Sequence, residues 1–234
     1  MPTLIEKGKI VKEKYMTVSV KNDIDNMRGI DFIIKFIGDR IFDRDIMPKE
    51  KLKGIGSKVI ILRSGTGSGK STILPAALYT NFLKDHGGNL IITQPTKVTT
   101  VDIPYKIMQH NQLELGNTIG FQTGSIAWKP RKGILFCTVG VLLQFLKTMD
   151  DDEFMRKYKF IIMDEVHIRQ TELDSCLYYI KRLLQRNWEN PKCPLVILTS
   201  ATFDPEIFMT YFDIPENNFL DVLGATFPRE INMA

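Results

Sequence analysis

Cysteine is scarce in this chain: 234 residues contain three, Cys137, Cys176 and Cys193. An odd number at such wide spacings fits neither a disulfide framework nor a zinc-ligand pattern, so reduced, mostly buried thiols are expected. Long apolar runs are absent too, and none could span a bilayer. The opening MPTLIEKGKIVKEKY has no apolar signal core, and no N-x-S/T acceptor occurs. These absences point to a soluble, intracellular protein with no membrane partner. Charge of one sign is also lacking, because 31 Lys and Arg stand against 27 Asp and Glu, a net of +4. That balance permits a polyanionic partner without arguing for one. No internal repeat or low-complexity segment is visible. What remains is an ordinary composition, 44% hydrophobic and 25% charged, enough for one large α/β domain and its core.

The two parts of the chain differ. Residues 1–28 are polar and charged, with one alternating stretch at Tyr15–Val20 that reads as a short strand. Residues 30–42 place Ile30, Ile33, Ile34, Ile37 and Ile41 at helical spacing, which predicts an amphipathic helix. Pro48, Gly54 and Gly56 then punctuate the chain. From Lys58 onward, apolar runs at 59–62, 90–93, 134–138, 160–163 and 195–199 have the continuous character of strands buried on both faces of a parallel sheet. Candidate helices lie near 70–84, 98–110, 140–149 and 172–188. This alternation predicts an open, doubly wound sheet with its ligands at the carboxyl ends of the strands. The expected division is an extension at 1–57 followed by one domain at 58–234.

The run at 59–62 leads directly into Ser64-Gly65-Thr66-Gly67-Ser68-Gly69-Lys70-Ser71-Thr72 and then a helix. Glycines allow the backbone to curl so that successive N–H groups face a phosphate, and the helix start adds partial positive charge. Lys70 is suited to the β- and γ-phosphates, and the Ser71 hydroxyl to Mg²⁺. Ser64 replaces the first glycine of the strict P-loop pattern, at a position that closes the loop instead of touching phosphate. After the strand at 160–163 comes Asp164-Glu165-Val166-His167. An acid at the end of a neighbouring apolar strand is suited to hold Mg²⁺, and the adjacent Glu165 to orient and deprotonate the attacking water. The expected cofactors are therefore ATP, or another nucleoside triphosphate, and Mg²⁺.

These residues carry a resemblance. FIIMDEVHIRQTELD resembles motif II of the DEAH/DExH helicases of superfamily 2, and SGTGSGKST resembles their motif I. LTSATFDPEIFMTYF is similar to motif III and its following helix, with Ser200-Ala201-Thr202 as the triplet. TQPTKVTTVDI looks like motif Ia and FCTVGVLLQFL like motif Ib. IGFQTG fits the segment before motif Ib, and GATFPREI, at 224–231, fits the exit strand of the first RecA-like domain. The resemblance covers residues 58–231 in family order. It implies a RecA-like P-loop NTPase domain, with a mainly parallel sheet, of an RNA helicase moving 3′ to 5′. It also implies that His167, Ser200, Ala201 and Thr202 couple the nucleotide site to a second RecA-like domain of the same polypeptide. Pro95, Thr96, Lys97, Thr138 and Gly140 would then face the backbone of single-stranded RNA, with DNA left open.

The departures are specific. Thr96 and Lys97 stand where the family usually has two arginines, so planar forks give way to a hydroxyl and a point charge. Thr123 stands where many relatives have Arg, and Ile168 replaces a common Glu, while Arg169 matches. This pattern suggests a divergent member close to the helicases of large cytoplasmic DNA viruses. Its place would be cytoplasmic rather than nuclear, or a virion or viral factory. No motif V or VI follows, so the fragment alone is expected to bind nucleotide weakly, hydrolyse it slowly and not unwind duplexes. Two rival readings are a small-molecule kinase, which would need an acceptor pocket and an Arg-rich lid, and a P-loop module that binds nucleotide without turnover.

Overall fold

A computed structural model describes residues 16–19, 30–38, 54–65, 67–111, 113–202 and 204–223. Nine strands form one sheet: β1 (Met16–Ser19), β2 (Val59–Ser64), β3 (Asn89–Gln94), β4 (Ile119–Gln122), β5 (Ala127–Trp128), β6 (Ile134–Thr138), β7 (Tyr158–Met163), β8 (Leu195–Ser200) and β9 (Phe219–Leu223). Their order is β1-β9-β2-β8-β7-β3-β6-β4-β5. Every pairing is parallel except β4 with β5. The chain passes from β2 to β3 across the places of β8 and β7, which creates the crevice where such sheets bind ligands.

The apolar runs give the strands two buried faces, and helices cover both. On one face lie α1 (30–38), α2 (Ile73–Leu78), a π-helical turn at Tyr79–Leu83, and α3 (Lys97–Asn111). That layer buries Ile33, Ile37, Leu74, Leu78, Phe82 and Ile107 against Ile60, Leu62, Ile92 and Phe136. On the other face lie α4 (Val139–Thr148), α5 (Asp151–Lys157), α6 (Thr171–Asn187) and α7 (Pro205–Phe212). There Leu142, Phe154, Leu177, Ile180 and Phe212 pack on Val59, Ile61, Ile161 and Val196. Cys137, Cys176 and Cys193 are buried in this second layer and form no disulfide. Burial holds all three thiols protonated, pushing Cys193 up to about 11.

Five of the strands and four of the helices stand where the apolar runs and helical spacing place them. The alternating segment near residue 15 is β1, which pairs with β9 at the edge of the sheet. The helix expected over 30–42 is described over 30–38; Ile30, Ile33 and Ile37 enter the core, Ile34 packs against it, and Ile41 lies outside the described residues. Both elements precede residue 58 and still join the same sheet and core. Helix α5 is legible only through its caps. Asp150 accepts from Glu153 N at 2.7 Å, Asp151, Asp152 and Glu153 sit at the positive end, and Arg156 and Lys157 at the negative end. The last described strand is β9, and residues 224–231 lie outside the described residues.

Candidate functional site

Because the central strands are parallel, their carboxyl ends share one edge, and the chemistry-bearing residues gather there. Ser64 ends β2, Asp164 follows β7, Ser200 ends β8, Gln94 ends β3 and Thr138 ends β6. The P-loop curls from Ser64 into α2. Gly67 and Gly69 have φ of 84° and 85°, a backbone region open to glycine and strained for side chains. A Cβ on Gly69 would stand 2.8 Å from Ile73 Cδ1. The Gly69 carbonyl gathers the N–H groups of Thr72, Ile73 and Leu74 at 3.2, 2.8 and 3.0 Å, which starts the helix. Thr66 lies outside the described residues.

Ser64, in place of the first glycine, is buried, and its hydroxyl is 2.8 Å from the Ser68 hydroxyl. Its side chain thus fastens the loop from within. Lys70 is 5% exposed; its ammonium donates to the carbonyls of Ser64 at 2.6 Å and Gly65 at 2.9 Å. Burial lowers its pKa, while the charges of Glu165 and Asp164 act the other way.

Asp164 is 3% exposed and is held by four donors. Ser71 Oγ reaches Oδ2 at 2.5 Å and Gln94 Nε2 reaches it at 2.8 Å. The Thr199 hydroxyl donates to Oδ1, as does Glu165 N–H at 3.1 Å. A buried carboxylate is tolerable only with such compensation, each charged hydrogen bond contributing about 1.5–3 kcal/mol. Ser71 and Asp164 therefore bring two hard oxygen donors together. That set fits Mg²⁺, which takes one or two carboxylates plus phosphate oxygens and waters. Among the described residues no group of three or more His, Cys, Asp and Glu could cage a metal by itself.

Glu165 has a left-handed backbone, φ 53°, a strained position of the kind found at functional sites. The turn it makes lets Val166 N–H donate to Thr199 O at 3.1 Å. Burial raises the Glu165 pKa, the neighbouring Asp164 charge adds to the rise, and Lys70 and His167 oppose it. His167 Nδ1 is 2.8 Å from Ser200 Oγ and 3.1 Å from Glu165 Oε2. The Ser200 contact has hydrogen-bond geometry, whereas Glu165 Oε2 lies close to the ring without a hydrogen-bond partner. Thr202 N–H donates to the same Ser200 hydroxyl at 3.2 Å. His167, Ser200 and Thr202 are thereby linked, with Ala201 between the last two.

Register places the remaining residues. Gln94 is aligned with Thr138, so Pro95-Thr96-Lys97 and Thr138–Gly140 leave adjacent strands side by side. Thr96 and Lys97 are exposed, and Pro95, Thr138 and Gly140 are half-buried. Thr96 also caps α3, its hydroxyl accepting from Thr99 N at 3.1 Å.

Sequence reasoning missed Gln94 and Thr199. Both are polar residues at the tips of apolar strands on the P-loop edge, and that position was their signal. It also missed Arg63, whose guanidinium forms a two-pronged pair with the buried Asp221 and ties β9 to the P-loop strand.

The DEAD/DEAH box helicase family model matches residues 49–210. The African swine fever virus protein B962L (isolate Tick/Malawi), named as an RNA helicase, is 36% identical over 98% of this chain and 24% of its own length. Spindle-E of Aedes aegypti, named as an ATP-dependent RNA helicase, is 34% identical over 68% of this chain and 11% of its own. This chain thus spans about a quarter of the length of the viral relatives it matches. The crystal structure of the Escherichia coli DEAH/RHA helicase HrpB superposes with a TM-score of 0.60 over 76% of this chain and 22% of that one. At 22% identity that likeness speaks for the RecA-like fold.

Proposed function

This chain belongs to the DEAD/DEAH box helicase family, and we propose that residues 58–234 are the first RecA-like motor domain of a DEAH/DExH RNA helicase, with 1–57 as an extension whose β1 and α1 join the sheet and core of that domain. The observation that carries the reading is the buried Asp164, held by groups from β3, β8 and the P-loop at once. Lys70 would bind the β- and γ-phosphates of ATP or another nucleoside triphosphate, within the loop of Ser64, Gly65, Thr66, Gly67, Ser68, Gly69, Ser71 and Thr72. Ser71 and Asp164 would hold Mg²⁺, which neutralises charge developing on the phosphate oxygens.

Glu165 would take the proton of the attacking water. Its raised pKa makes it a better base, at the expense of needing a higher pH to be ionised. His167, Ser200, Ala201 and Thr202 would report the state of the nucleotide to a second RecA-like domain, through the bond between His167 and Ser200. Pro95, Thr96, Lys97, Thr138 and Gly140 would line the path of a single strand travelled 3′ to 5′. No helix among the described residues is long and apolar enough to cross a membrane, and the relation to B962L supports a viral origin.

The test is hydrolysis by the full-length protein with single-stranded RNA, single-stranded DNA or neither added. RNA should raise the rate, and a Glu165→Gln variant should lose most of it. Equal rates for Glu165→Gln and the parent would mean that Glu165 is not the base, and no hydrolysis by either would leave a nucleotide-binding module without turnover. Indifference to both strands would remove the helicase reading.

A further inference from the structure

One charged pair beside the P-loop has no part in the site as built so far. Arg63 directly precedes Ser64, and register places it between Ser200 of β8 and Asp221 of β9. Its Nε donates to Asp221 Oδ1 at 3.1 Å while Nη2 donates to Oδ2. The same guanidinium lies over the Phe219 ring, 5.2 Å from its centroid, a contact that orients the planar fork. Side chains alternate along a strand, so Arg63 and Asp221 project on the face of Ile61 and Phe219, towards the layer of α4 to α7.

Stability alone does not explain such a pair. Asp221 is 7% exposed, and an ion pair taken out of water adds little over apolar side chains of similar size. The nearby positions on that face, Val59, Ile61 and Phe219, are apolar and fully buried. A two-pronged pair supplies what a leucine does not, which is direction. It holds while the two strands keep their register and weakens when one slides past the other.

The place of the pair gives that property a use. Strand β9 lies inside the sheet, and Asp221 is aligned with Thr17 on one side and Arg63 on the other. It is the last described strand, and in the helicase reading the chain leaves it for the second RecA-like domain. On the other side of the pair, Arg63 leads into Ser64, whose carbonyl accepts from Lys70 at 2.6 Å. Its neighbour Ser200 meets His167. The loop keeps its shape by its own bonds, through the Ser64 and Ser68 hydroxyls and the Gly69 carbonyl. The pair is therefore free to join the loop to the exit strand without having to form the loop.

We propose that Arg63 and Asp221 are positioning residues that carry movement of the exit strand to the P-loop, so that docking of a second domain reaches Lys70 through Ser64. Coupling of this kind runs through contiguous bonded groups. The inference rests on the helicase reading above, because it needs a domain beyond β9.

The test uses the full-length protein and measures hydrolysis with and without oligouridylate, together with the KM for ATP and the melting temperature. Asp221→Asn keeps the shape and removes the charge. Basal hydrolysis and KM should stay near the parent's, while the stimulation by oligouridylate falls about fivefold or more. Arg63→Gln should do the same, and the double variant should be no worse than either single one, within about twofold. Asp221→Glu should restore most of the stimulation. If Asp221→Asn melts below the assay temperature, Arg63→Lys, which keeps the charge and loses the fork, takes its place with the same expectation. Unchanged stimulation in these variants, with only the melting temperature lowered, would overturn the proposal and leave the helicase reading intact. So would equal losses of the basal and stimulated rates. A parent protein that oligouridylate does not stimulate would overturn both.

Discussion

The two halves of the carboxyl edge are built on different principles. In the half proposed to take the nucleotide, between β2 and β7, the side chains are buried and hold one another: Lys70 rests on two loop carbonyls, and Asp164 takes four donors. In the half proposed to take a single strand, at the ends of β3 and β6, Thr96 and Lys97 are exposed. What aligns the residues there is strand register, as when Gln94 sits opposite Thr138. The contrast suits the proposed ligands. A phosphate and a hard cation need fixed charges in a shielded place, where electrostatics is strong. A passing polyanion needs contacts that can be made and released, and exposed cations give weak, screened ones.

Perturbing each half should therefore have different consequences. The largest effect is expected for Glu165→Gln, which should lower hydrolysis about 10²–10⁴-fold while nucleotide binding persists. Single-turnover rates and a binding titration check it. The same residue sets the acidic limb of the rate profile. Its pKa is raised, and the ionised form is the base, so activity should be lost as pH falls at a point above the usual carboxylate range. A rate constant flat down to that range would deny Glu165 the role.

Thr199→Val should come second. It removes one donor from a buried carboxylate, with an expected stability loss of about 1–3 kcal/mol and weaker use of Mg²⁺ by about tenfold. Thermal melting and a Mg²⁺ titration of hydrolysis measure the two. An unchanged Mg²⁺ requirement would make Thr199 a packing residue only.

Lys97→Ala should have the smallest effect: single strands bind slightly less well whatever their sequence, and the slope of log affinity against log salt falls by about one. Binding isotherms at several salt concentrations report it. A slope that does not move would take Lys97 off the strand path and blur the difference between the halves.

Much of this was legible from residue order. The P-loop spacing, the acid after an apolar strand, and the alternation of runs from Lys58 onward indicate the fold and name Lys70, Ser71, Asp164 and Glu165. Local chemistry suffices there because a phosphate loop is a contiguous device of glycines, a lysine and a hydroxyl. Helix α5 was harder to see, since an Asp-Asp-Glu run reads as a turn until its cap and its charge at both helix ends are in view. Gln94 and Thr199 were harder still. Their importance lies in standing beside β7, about 70 and 35 residues from Asp164 along the chain.

The sequence by itself determined which strands would be buried on both faces, and which loop would be able to wrap a phosphate. It also showed that the thiols were too few and too far apart to staple the chain. Only the tertiary structure decided who surrounds Asp164, that His167 meets both Ser200 and Glu165, and that β1 and α1 join the sheet and core. The physical reason is the order of the sheet. Neighbouring strands in β2-β8-β7-β3 are distant in the chain, so their shared edge, where the contacts of Asp164 and His167 form, exists only after the crossovers are made.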